Sequence, residues 1–180
     1  MERSLTHIAL FAALIAILGL VPKIDLAAGV PITAQSLGVM LCGTVLGARR
    51  GALAVVLFLV LVAAGLPLLS GGRGGLGVFA SPSVGFLLGF PVAAFVAGWV
   101  MERTTLQPGL AATAGAVIGG IGVLYVFGIL GMALILQKSL TEASYLAFAF
   151  LPGDAVKAVL AGMVTQSLAR MRPASLLSRA

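Results

Sequence analysis

Long stretches without one charged side chain constrain this chain more than any other feature. Eleven Lys/Arg and five Asp/Glu among 180 residues leave uncharged runs at Ser4–Pro22, Leu26–Ala48, Gly51–Gly72, Gly74–Met101, Thr104–Gln137 and Ala143–Gly153. The last run resumes beyond Lys157 and continues to Ala169. A helix crossing a bilayer needs about 20 apolar residues. The expected fold is therefore an all-α integral membrane protein with six transmembrane helices, residues 1–180 forming a single domain. The fifth run exceeds one span and is expected to be partly loop or interface. A hydrophobic fraction of 61% leaves too few polar residues to cover a soluble globule of this size.

Several function classes drop out early. Glu2–Arg3 ahead of an apolar stretch imitates a secretory signal, but a second hydrophobic run follows it and cleavage is not expected. Cys42 is the lone cysteine, so no internal disulfide is expected; with one histidine, neither is a metal centre. No cofactor is expected. The net charge of +6 lies scattered between the apolar runs, which argues against nucleic acid and for a topology signal.

With the N-terminus inside, the inner segments hold Arg3, Arg49, Arg50, Arg103, Arg170, Arg172 and Arg179. The outer loops hold only Lys23, Arg73 and Lys138. The positive-inside rule then puts both termini in the cytoplasm. His7 falls near the inner end of the first helix, and Trp99 with Arg103 reads as an interface anchor. Small residues recur at helical spacing: Ala9, Ala12, Ala16 and Gly19; Ser36, Gly43 and Gly47; Gly85, Gly89, Ala93 and Ala97; Ala112, Gly115, Gly119 and Gly122. Such stripes allow the close approach on which helix association in lipid depends. The first of them is also a candidate face for a partner.

This topology gathers three irregular segments outside. The first is "KIDLAAGVPITAQS", with Pro31 followed by Thr33, Gln35 and Ser36; the second is "GGRGGLGVFASPSVGF", Gly-rich around Arg73. The third ends at Pro152–Gly153, after which the sixth helix is expected to start with Asp154 and Lys157 on one face. Charge at an apolar helix end marks a functional site with a named partner. The plainer alternative makes Asp154 a helix cap and Lys157 its outward-snorkelling neutraliser. Around Arg73 the glycines form either an anion-binding nest or a flexible linker. Thr33 suits an N-cap, whereas Gln35 is not explained by capping and is favoured as a ligand contact.

A carboxylate, cations, an amide and hydroxyls can hold a small polar molecule with N–H donors and an acidic end. No nucleotide-binding loop and no chain of intramembrane acids is present, so the sequence names no energy source of its own. That favours a binding subunit driven by a partner, or a passive facilitator. An intramembrane enzyme using Asp154 and Lys157 as acid and base is the alternative, and a ligand-free scaffold a third.

The run "GVPITAQSLGVMLCGTVLGARRGALAVVLFLVLVAAGLPLL", the loop "GGRGGLGVFASPSVGFLLGF" and the terminal "LPGDAVKAV" together resemble the BioY family. These are the biotin-specific S components of energy-coupling factor transporters. The resemblance spans nearly the whole chain. It implies six helices, a biotin site near the extracellular face, and a multi-pass protein of a prokaryotic plasma (inner) membrane. It also implies high-affinity capture of biotin for uptake, energised by a transmembrane T component and ABC ATPase subunits; the chain itself would be no enzyme. An S component for another small vitamin is the nearest alternative, and a homo-oligomer is a further assembly it leaves open. The T component would dock on an A-x-x-x-A face of helix 1, here Ala9 and Ala13 or Ala12 and Ala16. By motif, Asp154 and Lys157, with Thr33 and Gln35, would bind the ligand, and the loop around Arg73 and Gly74 would cover it. The family pattern P-T-G-G-Y here reads Pro82-Ser83-Val84-Gly85-Phe86. Ser83 keeps the hydroxyl while Phe86 lacks the phenol, which predicts a weaker ligand or lid contact at that point.

Overall fold

The computed structural model describes residues 2–25 and 29–179, with only the backbone at residues 2 and 3. Leu26, Ala27 and Ala28 of the first outer segment lie outside the described residues, as do the two terminal residues and the Arg3 side chain. The described chain is helical: α1 (Glu2–Leu18), α2 (Gln35–Leu46), α3 (Ala48–Ala63), α4 (Val84–Arg103), α5 (Pro108–Val117), α6 (Leu124–Leu136), α7 (Leu140–Phe148) and α8 (Leu151–Met171). A π-helical segment, Ile118–Val123, joins α5 and α6 into one continuous helix, Pro108–Leu136. The only β pairing among the described residues is two isolated bridges, Ile24 with Ile32 and Leu69 with Arg73.

Among the described residues two helices are long and apolar enough to cross a membrane, Val84–Arg103 and Pro108–Leu136. The pair α7 and α8, bent by 56° at its break, counts as a third if it forms one span. Ser4–Leu18 and Gln35–Leu46 are apolar but shorter. Two loops expected from the sequence are replaced by helix. Gly47 alone, at φ 87°, separates α2 from α3, so Arg49 and Arg50 belong to the first turn of α3 and to no loop. The segment before Pro152 contains α7, opened by a capping box in which Ser139 and Glu142 bond each other's backbone N–H. Pro152 and Gly153 fall inside α8, whose first residue is Leu151.

The small-residue stripes are packing surfaces. A Cβ on Gly85 would collide with the Phe127 carbonyl and stand 2.9 Å from Gly131 Cα, so α4 and α6 cross in backbone contact. Gly119 meets the Ala93 carbonyl, and Gly43 lies against Ala94 and Ala97. Ala93, Ala94 and Ala97 are accordingly buried, whereas Val60, Leu130 and Leu134 point outward. Contacts this close replace the hydrophobic drive that lipid does not supply. The turn at Gly47 seats on Gly98 of α4, where Glu102 Oε1 accepts the Ala48 N–H at 2.8 Å. Nearby, Ser178 donates to the Thr44 carbonyl at 2.6 Å and Arg179 to the Thr104 carbonyl at 2.6 Å. The Arg-bearing ends of α4 and α8 and the start of α3 thus share the end of the bundle that the C-terminal tail closes. The starts of α2, α4 and α8 lie at the other end.

Overpacking a backbone crossing costs about 1–3 kcal/mol. Gly85→Val is expected to lower the thermal unfolding midpoint of the detergent-solubilised protein by several degrees. Gly77→Ala, where an added Cβ meets no atom within 4 Å, is expected to leave it unchanged.

Candidate functional site

At that other end, the first turns of α2, α4 and α8 and the segments that precede α2 and α4 line an open cavity of about 560 Å³, the space at its mouth included. Its walls are mostly apolar, with Leu87, Phe90, Leu124 and Phe150 among them, and its polar groups are few. Thr33, Gln35, Ser36, Arg73, Ser83, Phe86, Asp154 and Lys157 all line it.

Asp154 organises the polar side. It follows Pro152 and Gly153 in the first turn of α8, a start that suits proline and an acidic residue. Yet the carboxylate does not cap the helix. Oδ1 accepts from Ser36 Oγ at 3.2 Å and from Lys157 Nζ at 2.8 Å, while Oδ2 accepts from Tyr125 Oη at 3.0 Å. Lys157 Nζ donates a second bond to Ser36 Oγ at 2.9 Å. The ammonium therefore turns inward, against the snorkelling alternative, and its side chain is only 14% exposed beside 8% for Asp154. A carboxylate offers about four lone-pair positions. Three are used, which leaves one unfilled among the described residues.

Tyr125 is the participant that sequence reasoning missed. It lies just beyond the π segment, whose extra residue per turn shifts the phase of α6 and brings Leu124 to the cavity wall and Tyr125 to Asp154. Phe86, the departure from P-T-G-G-Y, packs edge-on against Tyr125 at 6.4 Å and Phe150 at 5.7 Å between ring centroids. Tyr125 could have been suspected in the sequence only from its polar tip inside an apolar helix.

The remaining candidates divide. Ser83 Oγ pairs with Ser81 Oγ at 2.8 Å. Arg73 is half-buried, and its Nε donates to the Ser70 carbonyl at 3.3 Å; no terminal guanidinium N–H has a bond among the described residues. Thr33 Oγ1 accepts the Gln35 N–H at 3.3 Å, but the N-cap of α2 is Ala34, so Thr33 stands one residue before the capping position expected of it. Gly74 does not line the cavity; it is glycine because a Cβ would strike the Leu66 carbonyl. Gln35 lines the cavity but has its amide bonded to backbone elsewhere. On α1, Ala12 is buried and Ala16 half-buried against the bundle, while Ala9 and Ala13 are exposed.

With the site described, its likeness to known proteins can be stated. The model of the BioY family matches residues 2–174. The chain belongs to the BioY family. It is 53% identical to "Biotin transporter BioY" of Rhodobacter capsulatus over 99% of this chain and all of that protein. It is also 53% identical to "Biotin transporter BioY" of Rhizobium etli over 92% of each. A crystal structure of the S component for biotin from an ECF-type ABC transporter superposes with a TM-score of 0.89 at 30% identity, covering 94% of this chain and 92% of that one. A BioY protein with these apolar helices is an integral membrane protein, and its relatives carry transporter names, which overturns the enzyme alternative.

Removing one partner of a buried ion pair costs about 3–5 kcal/mol, whereas replacing both with apolar groups is often neutral. Lys157→Met is expected to lower detergent thermal stability markedly. The double variant Asp154→Leu/Lys157→Met is expected to recover most of that loss, measured by the same melting assay.

Proposed function

We propose that this chain is the biotin-capturing S component of an energy-coupling factor transporter. Residues 1–180 act as one membrane domain of six spans, with both termini in the cytoplasm and the cavity facing outward. The observation that carries the reading is the cavity itself. One wall holds a buried carboxylate with an open acceptor position, and Arg73 reaches the same space from the outer loop. Biotin presents ureido N–H donors at one end and a carboxylate at the other, with an apolar thioether ring and chain between.

Asp154 receives a ureido N–H, and Ser36, Lys157 and Tyr125 hold it in place. The valerate carboxylate goes to Arg73, because Lys157 already has its counter-charge 2.8 Å away. Phe86, Phe90 and Phe150 flank the apolar middle. Thr33 and Ser83 contribute hydroxyls at the cavity edge. Uptake is driven by a transmembrane T component and ABC ATPases in a prokaryotic plasma membrane. Between the two small-residue pairs on α1, the exposed pair Ala9 and Ala13 is the docking face, since Ala12 is committed to the core.

A competition experiment tests this assignment. Radiolabelled biotin is expected to bind the purified chain without any ATPase, and excess riboflavin or thiamine is expected not to displace it. Biotin methyl ester and the Arg73→Ala variant should each weaken binding by about 10- to 100-fold, the range for a charged hydrogen bond. Combining them should weaken it no further. Displacement by riboflavin or thiamine would point to another vitamin. Full additivity of ester and variant would remove Arg73 from the carboxylate site.

A further inference from the structure

Gln35 is a cavity-lining residue whose polar atoms are all turned away from the cavity's contents. It is 2% exposed, and its amide is used from both ends. Nε2 donates to the Ile15 carbonyl in the last turns of α1 at 3.1 Å and to the Leu68 carbonyl at 3.0 Å. Oε1 accepts the Ser70 N–H at 3.0 Å. A primary amide has two donors, and both are taken here. One side chain at the head of α2 thereby ties the end of α1 to the outer segment that follows α3.

What it ties down matters for the cavity. Leu68 and Ser70 flank Leu69, whose backbone pairs with Arg73 in both directions, Leu69 N–H to Arg73 O at 2.9 Å and Arg73 N–H to Leu69 O at 3.2 Å. Arg73 Nε then returns to the Ser70 carbonyl. The turn between them is made by Gly71 and Gly72 at φ 79° and 71°, a conformation costly for residues with a Cβ. Leu69 and Arg73 both line the cavity. Among the described residues this cover is held by the Gln35 amide, by the burial of Leu69 in the core and by Gly75 N–H to the Val62 carbonyl at 2.8 Å.

We propose that Gln35 is a positioning residue, the latch that holds the Leu68–Arg73 turn closed over the cavity, and that it sets how long a ligand stays without touching it. This rests on the biotin reading for its probe. The latch acts on the cover and not on any group of the ligand. Its loss should raise the dissociation and association rates by the same factor for every ligand the cavity accepts, and leave Kd nearly unchanged.

The test compares the parent chain with Gln35→Met, which removes all three bonds, and Gln35→Glu, which keeps the shape and the acceptor but not the two donations. Dissociation of biotin, biotin methyl ester and 2-iminobiotin is followed after a chase. A nitroxide at Pro67→Cys, an exposed position beside Leu68 without a positive φ, reports the cover directly, since the native Cys42 is buried and does not compete for label. Both variants are expected to raise koff and kon by a like factor of about 10- to 100-fold, two to three buried hydrogen bonds' worth, equally for the three ligands, with Kd within about threefold. The label should become more mobile in the ligand-free protein. An unchanged koff and label spectrum would overturn the proposal, and so would a factor confined to one analogue, which would make Gln35 a ligand contact. If Gln35→Met does not fold, the isosteric Gln35→Glu carries the same comparison. Should the parent chain not bind biotin at all, the functional reading fails while the label still decides the latch.

Discussion

One ion pair inside an apolar bundle governs this structure. Neither Asp154 nor Lys157 can rely on water, so each must find its partners within the protein. Lys157 supplies the counter-charge from the next turn of the same helix, but two residues cannot satisfy a carboxylate and an ammonium between them. Ser36 from α2 bridges both charges, and Tyr125 from α6 takes the second oxygen. Three helices far apart in sequence are thereby fixed relative to one another at one end of the molecule. A cavity opens at that point because the polar cluster occupies one wall while bulky aromatic and aliphatic side chains form the others.

The rest of the bundle makes such a cluster possible. Backbone crossings at Gly85, Gly43 and Gly119 bring α2, α4 and the α5–α6 helix close enough for short side chains such as Ser36 to reach across. At the opposite end the polar groups are handled differently. Thr44 and Thr165 bond each other at 3.1 Å, and Ser178 closes on the Thr44 carbonyl. The two ends of the bundle thus differ: one arranges its polar groups along a cavity wall, the other pairs them with one another inside the core.

Much of this was legible in the sequence because it depends on what a bilayer tolerates. The all-helical fold followed from the apolar runs, and Asp154 with Lys157 stood out as charges where charge is costly. Arg73, Ser83, Phe86 and Thr33 do reach the cavity that was expected from the clustering of irregular segments. What stayed hidden depends on tertiary distance. Tyr125 meets Asp154 across 29 residues of chain, and no spacing rule announces it. Gln35 was favoured as a ligand contact since capping did not explain it; its actual partners, Ile15 and Ser70, lie 20 and 35 residues away. Loops were overestimated for the same reason. Gly47 alone suffices to turn the chain between α2 and α3, because α4 offers Gly98 and Glu102 as a seat, and nothing local to Gly47 reveals that. Gly74 was read as part of a cover over the site, but its lack of a side chain serves packing against Leu66.

The account stands or falls on Asp154 as the ligand's acceptor. The measurement that tests it most directly is the dissociation constant for biotin of the purified chain in lipid nanodiscs, beside that of Asp154→Asn. An amide of the same shape keeps the packing but replaces one acceptor oxygen with a donor, and it removes the counter-charge of Lys157. Saturable binding by the parent and a loss of about 100-fold or more in the variant, the scale of a charged hydrogen bond lost from a buried site, is the predicted result. Equal affinity in the two proteins would contradict the account, since the ureido group would then be held elsewhere.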